Sequence, residues 1–212
     1  ATIDVKDMFF MVPLQAEDPN RFAFTWEGQQ YTFTRLSQAY KHSPTLAHHA
    51  LAQELETISR RAEVKIYQYI DDVLIGGSQA EEERESQKDI IIHLGSIGLT
   101  IPPEKIKTPS SEVKFLGIWW KGGMTCIPPD TLSSLEQIKM LESKRDLQHV
   151  LKLLVFWRKY IPDFSIIARP LYDLLQKRAQ WEWTQVHDEA LWLLVSEATA
   201  YQALGPIHPT DP

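Results

Sequence analysis

The stretch Tyr69-Ile70-Asp71-Asp72 constrains the fold of this chain more than any other feature. Short apolar runs flank the two acids, at residues 65–70 and 73–76. Runs of this length and composition are typical of strands, so the pattern predicts a hairpin with both acids at its tip. Because both arms are apolar, we expect the hairpin to belong to a buried sheet rather than to a surface loop.

Two adjacent carboxylates at such a tip repel each other, and neither is stable beside apolar neighbours. A bound divalent cation removes that cost, and Mg²⁺ prefers one or two carboxylates completed by water and substrate phosphates. Asp is also a favoured turn residue. A solvated turn without a metal is therefore the alternative interpretation of this pair.

Asp4 supplies a third candidate carboxylate, at the end of the strand-like run formed by residues 2–5. Two-metal phosphoryl transfer needs carboxylates from separate strands that converge on ions roughly 3.5–4 Å apart. Asp4, Asp71 and Asp72 form a suitable set if the fold brings them together. Taken alone, Asp4 is better interpreted as an ordinary acid at a strand end.

The remaining pattern predicts an α+β protein that becomes helical after residue 125. Alternating residues on both sides of Glu27-Gly28 predict a hairpin, and Ser43-Pro44 opens a helix with Ser43 as its cap. Residues 113–120 are predicted to form one strand. Three helices then follow, over residues 143–161, 165–177 and 184–203.

Net charge and cysteine content narrow the class of protein. The net charge of −6 argues against a simple nucleic-acid-binding module, but residues 139–178 carry 9 basic and 4 acidic side chains. Cys126 is the only cysteine of the sequence, which favours a reducing compartment and a buried thiol. No apolar run approaches the roughly 20 residues needed to span a bilayer, so we expect no membrane partner.

Four motifs, in order along the chain, resemble those of retroviral reverse transcriptases. Residues 2–14 resemble the first polymerase motif, in which an Asp is followed by an aromatic pair, here Asp4 and Phe9-Phe10. Residues 36–44 resemble the LPQG-aromatic-xx-SP segment, residues 69–72 the YxDD motif, and residues 113–118 the strand that begins the primer-grip hairpin. Later segments, at residues 158–164 and 168–175, resemble the thumb and early connection of gamma-type and endogenous retroviruses.

This resemblance implies a polymerase palm, an antiparallel sheet with packed helices, over residues 1–125. A helical thumb over 126–178 and the start of a connection domain with a tail over 179–212 would follow. The implied activity is RNA-directed DNA synthesis, in which two Mg²⁺ ions, or Mn²⁺ in their place, support addition of dNTPs to a primer on an RNA or DNA template. We expect the chain to be a piece of a Pol polyprotein, acting with upstream fingers and downstream connection and RNase H parts, in the cytoplasm or in a viral particle.

The same resemblance implies roles for individual residues. Asp4, Asp71 and Asp72 would be catalytic metal ligands, with the Val5 carbonyl as an extra one. Phe9, Gln38, Tyr69 and Lys105 would contact the incoming nucleotide, and Trp119, Trp120 and Lys121 would form the primer-grip turn. For Phe9 and the two tryptophans the alternative is hydrophobic packing, and for Lys105 it is a solvated loop lysine.

Departures from the family pattern keep a second interpretation open. Ser37 stands where the family has Pro, and Ala39 stands where it has a Gly that lets the backbone approach the nucleotide. Most of the fingers is also missing, so we expect the 212-residue chain alone to show little or no polymerase activity. The alternatives are a degenerate endogenous-retrovirus relic that keeps the fold and weak nucleic-acid binding, and a helical interaction protein unrelated to polymerases.

Overall fold

The computed structural model describes residues 1–15, 19–38, 40–59, 61–138, 141–200 and 203–205. The chain divides into two compact units, Ala1–Phe115 and Leu116–Pro212. This division into compact units does not test the predicted subdomain boundaries near residues 125 and 178, which stay predictions. Within the described residues, no helix is long and apolar enough to cross a membrane.

The first unit mixes strands and helices. Short 3-10 helices at Met8–Met11, Pro19–Phe22 and Pro103–Lys105 connect them. Its strands and α-helices are β1 (Thr2–Asp4), β2 (Ala23–Trp26), β3 (Gln29–Thr32), α1 (Ser43–Thr57), β4 (Val64–Tyr69), β5 (Asp72–Gly77), α2 (Ala80–Ser96), β6 (Ile106–Lys107) and β7 (Glu112–Phe115).

An antiparallel sheet with the order β4-β5-β1-β6 forms the centre of this unit. Strand β1 therefore lies between β5 and β6, although these strands are far apart in sequence. Ile3, Val73 and Ile75 are completely or almost completely buried. Burying each such side chain contributes about 1.5–3 kcal/mol, so this core fixes the strand that carries Asp4.

Helices α1 and α2 complete the core of the first unit. Ala47, Leu51 and Leu55 are buried at every fourth position of α1, which is the spacing of one helical face. Ile90 and Leu94 do the same in α2, and the left-handed Gly98 (φ 89°) follows its end.

The predicted hairpin at Glu27-Gly28 is confirmed by the pairing of β2 with β3. Both turn residues have positive φ, 48° and 78°, as a tight two-residue turn requires. Aromatic rings line its exposed surface, where Phe24 stacks on Tyr31 with centroids 5.6 Å apart.

The second unit is mainly helical, as the sequence predicts for residues beyond 125. Leu135, Leu147, Leu154, Tyr160, Leu171 and Leu194 are its most buried large side chains. Its elements are β8 (Ile118–Lys121), β9 (Met124–Cys126), α3 (Pro129–Glu136), α4 (Lys144–Phe156), α5 (Phe164–Ile167), α6 (Arg169–Leu174) and α7 (Gln185–Thr199).

Several predicted element boundaries are wrong. The strand predicted over residues 113–120 ends at Phe115, because Leu116 and Gly117 adopt positive φ of 52° and 73°. The helix predicted to reach residue 161 ends at Phe156 and continues only as a 3-10 turn. The helix predicted over residues 165–177 is split, because Pro170 cannot continue a preceding helix and instead occupies the first turn of α6.

Candidate active site

Two of the three predicted carboxylates lie side by side at one edge of the central sheet. Asp4 is the last residue of β1, Asp72 is the first residue of β5, and the two are direct partners in the antiparallel register. Directly opposed residues place their Cβ atoms about 4.5–5.5 Å apart on one face of a sheet. The Val5 N–H donates to the Asp71 carbonyl at 2.9 Å, which ties the third acid to the end of β1.

The turn between β4 and β5 differs from the prediction. Its two-residue tip is Ile70-Asp71, because Tyr69 already pairs with Asp72 in the ladder. Ile70 has φ 55°, a left-handed conformation that costs a β-branched residue about 1–3 kcal/mol. Asp72 therefore belongs to the strand, and its side-chain direction is set by the sheet and not by the loop.

Side chains from β4 and α1 hold this strained tip. The Ile70 N–H donates to His48 Nδ1 at 3.1 Å. Gln68 Nε2 donates both to the Ile70 carbonyl, at 2.9 Å, and to the His48 carbonyl, at 3.0 Å. Both backbone groups of Ile70 are thus paired with groups that lie outside the tip.

The positively charged side chain of Lys105 lies on the other side of Asp4. Strand β1 pairs with β6 through Thr2 with Lys107 and Ile3 with Ile106, so the next position of this register sets Lys105 against Asp4. The Lys105 ammonium donates to Asp4 Oδ2, and the two side chains are 48% and 34% exposed. Asp4 is thus flanked by Asp72 on one side and by Lys105 on the other.

Gln87 stabilises this arrangement from α2. It is almost fully buried, and its Nε2 donates to the carbonyls of Thr2, at 3.1 Å, and Lys107, at 2.9 Å. A buried amide that bridges two neighbouring strands resists a slip of their register, because a slip leaves polar groups unpaired. Gln87 therefore helps to hold Lys105 beside Asp4.

Burial and the neighbouring carboxylates raise the proton affinity of Asp72. Burial raises the pKa of Asp72 above its ordinary value, and the negative charges of Asp71 and Asp4 raise it further, while Lys105 partly offsets them. The hydrogen bond and the charge of Asp4 raise the pKa of Lys105, which therefore stays protonated at neutral pH. The site combines excess negative charge with the exposed ammonium of Lys105.

This charge distribution fits a divalent cation. Within the described part of the chain, no three His, Cys, Asp or Glu side chains are already gathered as ligands of one metal ion. Mg²⁺ does not require such a set, because it is usually held by one or two carboxylates together with water and substrate phosphates. Asp4 and Asp72 offer such a pair, and a divalent cation would stabilise the ionised form of Asp72, which burial and the neighbouring negative charges disfavour.

Comparison with known protein families gives the context for this geometry. The family model described as "Reverse transcriptase (RNA-dependent DNA polymerase)" matches residues 1–120. The chain belongs to the reverse transcriptase family. The match contains all the sheet-edge residues described above, from Asp4 to Lys105.

Retroviral polyproteins are among its relatives. The chain is 30% identical to the Gag-Pol polyprotein of Koala retrovirus over 197 residues, which are 90% of this chain and 12% of the relative. It is 30% identical to the Pol polyprotein of Feline endogenous virus ECE1 over 210 residues, 96% of this chain and 20% of the relative. The Walleye dermal sarcoma virus Gag-Pol polyprotein is 34% identical over 175 residues, 82% of this chain and 10% of that protein. The chain thus spans a fifth or less of the length of these relatives.

Solved structures confirm the predicted α+β fold with a reverse transcriptase palm and thumb. The foamy viral protease-reverse transcriptase, solved in complex with double-stranded DNA, matches with a TM-score of 0.82 and 27% identity over 96% of this chain and 36% of that one. The same viral protein in complex with an RNA/DNA hybrid matches with a TM-score of 0.81 and 27% identity, covering 96% of this chain and 27% of the other.

The structure of this reverse transcriptase chain brings some of the predicted nucleotide contacts to the same sheet edge. Tyr69 is 55% exposed and lies opposite Asp72 in the ladder. Phe9 is half-buried in the 3-10 turn after β1 and packs partly on the core, so both of its interpretations stay open. Gln38 is exposed in the segment before α1.

The predicted primer-grip residues lie in the second unit. Trp119, Trp120 and Lys121 belong to strand β8 and pair with β9, so the turn itself consists of Gly122-Gly123. The prediction that these three residues form the turn is therefore wrong in detail. Both tryptophans are half-buried and Lys121 is exposed.

The two departures from the family motif lie just before α1. Ala39 lies outside the described residues. Ser37 is buried, and its carbonyl accepts a hydrogen bond from Ser43 Oγ. Ser43 therefore does not cap the helix with its side chain, contrary to the prediction. The comparisons add no support to the relic interpretation, and the family match extends through this segment.

Sequence reasoning missed His48, Gln68 and Gln87. Two of them left a signal: Gln68 lies on the same face of β4 as Val64 and Ile66, and Gln87 lies on the buried face of α2 with Ile90. A polar residue at a core-facing position must find a buried partner, so each was a candidate for a structural hydrogen bond. His48 gave no such signal.

Proposed function

We propose that this chain forms the palm and thumb of an RNA-directed DNA polymerase that extends a primer 3′-hydroxyl with deoxynucleotides. The observation that carries the proposal is the pairing of Asp4 with Asp72 at the sheet edge, with Lys105 on the other side of Asp4. In a reverse transcriptase fold, this places two carboxylates from separate strands beside one lysine ammonium group.

The carboxylates are the proposed metal-holding groups. Asp4 and Asp72 would hold Mg²⁺ or Mn²⁺, with Asp71 and the Val5 carbonyl completing two sites. When bound, the two ions supply a more acidic 3′-hydroxyl and neutralise charge on the phosphates. The strands keep Asp4 and Asp72 in place, so little reorganisation is needed when nucleotide and ions arrive.

Lys105 supplies the mobile positive charge of the proposed reaction. Its ammonium contacts Asp4 and is half exposed, so it is free to turn from the carboxylate towards a triphosphate. Because its pKa is raised, it arrives protonated and can offset the charge that develops on the leaving pyrophosphate or donate a proton to it.

The remaining residues define the proposed substrate contacts. Phe9 would lie under the incoming sugar and exclude a 2′-hydroxyl by its bulk, while Gln38 and Tyr69 would contact the nucleotide. Trp119, Trp120 and Lys121 would hold the primer, since aromatic rings beside a cation suit a nucleic-acid backbone. The nucleic acids present in the foamy viral structures support template and primer as the partners.

Primer extension tests the proposal. The chain joined to its native upstream sequence is incubated with an RNA template, a DNA primer, dNTPs and Mg²⁺ or Mn²⁺. We expect template-dependent extension that Asp72→Asn lowers by at least 100-fold, because an uncharged amide oxygen is a much weaker ligand of Mg²⁺ than a carboxylate. Asp7→Asn, which removes the same charge from an exposed residue nearby, should leave the rate within about twofold. Absence of extension with both metals would overturn the proposal.

A further inference from the structure

The residue types at the Ile70-Asp71 tip do not favour the backbone conformation that the tip adopts. Two-residue hairpin turns favour Asn-Gly or Gly at positive φ, whereas this tip uses the β-branched Ile70 at φ 55°. Such outliers persist only where their surroundings over-determine them, and they concentrate at functional sites. The surroundings here are three hydrogen bonds: the Ile70 N–H donates to His48, and Gln68 donates to the carbonyls of Ile70 and His48.

His48 takes a defined chemical role in this contact. Its Nδ1 accepts the Ile70 N–H, so its ring carries the proton on Nε2. Gln68 donates to the backbone carbonyls of both residues in this contact, Ile70 and His48. The tip is thus joined to α1, whose buried Ala47 and Leu51 anchor it in the core.

The conformation of this tip also determines the position of Asp72 relative to Asp4. The Asp71 carbonyl accepts from the Val5 N–H, and Asp72 follows as the register partner of Asp4. If Ile70 leaves its conformation, the first pair of the β5–β1 ladder must shift as well. The position of Asp72 relative to Asp4 therefore depends on the groups that hold Ile70.

We propose that His48, together with Gln68, is a positioning residue that holds the Ile70-Asp71 tip so that Asp4 and Asp72 can share a divalent cation. The role rests on the proposed function, because it gives the metal-holding pair its geometry. It is specific to an acceptor at the position of Nδ1, and it does not require the positive charge of an imidazolium.

The test compares side chains with and without that acceptor. His48→Asn keeps an oxygen acceptor near the position of Nδ1, His48→Leu removes it, and His49→Leu changes the exposed neighbour on the same helix. Two measurements on the chain need no polymerase activity: hydrogen exchange of the Ile70 amide by NMR, and Mn²⁺ titration followed by EPR.

We expect His48→Leu to accelerate exchange of the Ile70 amide at least 10-fold and to raise the half-saturating Mn²⁺ concentration at least fivefold. His48→Asn and His49→Leu should stay within about threefold of the wild type in both. Unchanged values in His48→Leu would overturn the proposal, and so would an Asn variant that behaves like the Leu variant. If circular dichroism shows that His48→Leu does not fold, Gln68→Leu replaces it, with the same expected changes and the same refuting outcome.

The failure of this role and the failure of the proposed function give different results. A wild-type protein that does not extend a primer, but in which the variants still change exchange and Mn²⁺ binding, refutes the polymerase and supports the positioning role. Normal extension with unaffected exchange and Mn²⁺ binding in His48→Leu supports the polymerase and refutes the positioning role.

Discussion

Asparagine at position 72 should stabilise the metal-free chain and abolish its response to Mg²⁺. Burial and the charges of Asp71 and Asp4 raise the pKa of Asp72, so its ionised form is less favourable in the folded state than in the unfolded state. Asn has nearly the same shape without the charge. It removes the repulsion and also removes a carboxylate that the proposed metal site needs.

The expected magnitude follows from the arrangement of charges. Two like charges separated by about 4 Å repel by roughly 1 kcal/mol in water. Asp72 faces two carboxylates and is partly compensated by Lys105, so the solvent-screened gain from neutralising it is about 0.5–1 kcal/mol. In a protein of this size, that corresponds to an increase in Tm of roughly 1–4 °C. Mg²⁺ at ten times its Kd stabilises a native site by about 1.4 kcal/mol.

Thermal unfolding followed by circular dichroism, in EDTA and in Mg²⁺, measures both effects. Without metal, Asp72→Asn should melt above the wild type, and Mg²⁺ should raise the Tm of the wild type alone. Asp7→Asn, at an exposed position, serves as the matched control and should keep the Mg²⁺ response. An Asp72→Asn variant that melts below the wild type in EDTA, or that still gains stability from Mg²⁺, would refute the reasoning.

Three further predictions follow from the same structure. In metal-free protein, the stability due to Asp72 is fully present below its ordinary pKa of 3.8 and is lost as pH rises through its raised pKa in the folded state. In urea titrations from about pH 4 to 7, the free energy of unfolding should therefore fall more steeply with pH in wild type than in Asp72→Asn. Equal slopes in the two proteins would contradict this prediction. Lys105→Gln should tighten Mn²⁺ binding about threefold or more in EPR titrations, because the ammonium no longer competes for Asp4, whereas Lys107→Gln should not; equal affinities would count against the competition. Leu147→Ala should lower the free energy of unfolding by about 2–5 kcal/mol and Leu153→Ala by less than about 0.5 kcal/mol in urea titrations, since the first side chain is fully buried and the second is 41% exposed; similar losses would show that α4 packs differently.

Local patterns were sufficient for several elements of the fold. The hairpin at Glu27-Gly28 and the helix that begins at Ser43 were predictable, because turn residues and helical spacing act within a few positions. Errors arose where a local break in the backbone lies inside an apolar segment. The positive φ at Leu116 and the break before Pro170 both interrupted segments that apolar pattern alone had joined.

The sequence by itself determined which acids are available, the strand-like runs that flank them, and the order of motifs typical of a reverse transcriptase. Only the tertiary structure decided that Asp72 leaves the turn to pair with Asp4, that Lys105 lies on the other side, and that His48 holds the tip. The physical reason is range: these contacts join residues 22 to 101 positions apart. They depend on strand register and on buried amides such as Gln87, which no local periodicity encodes.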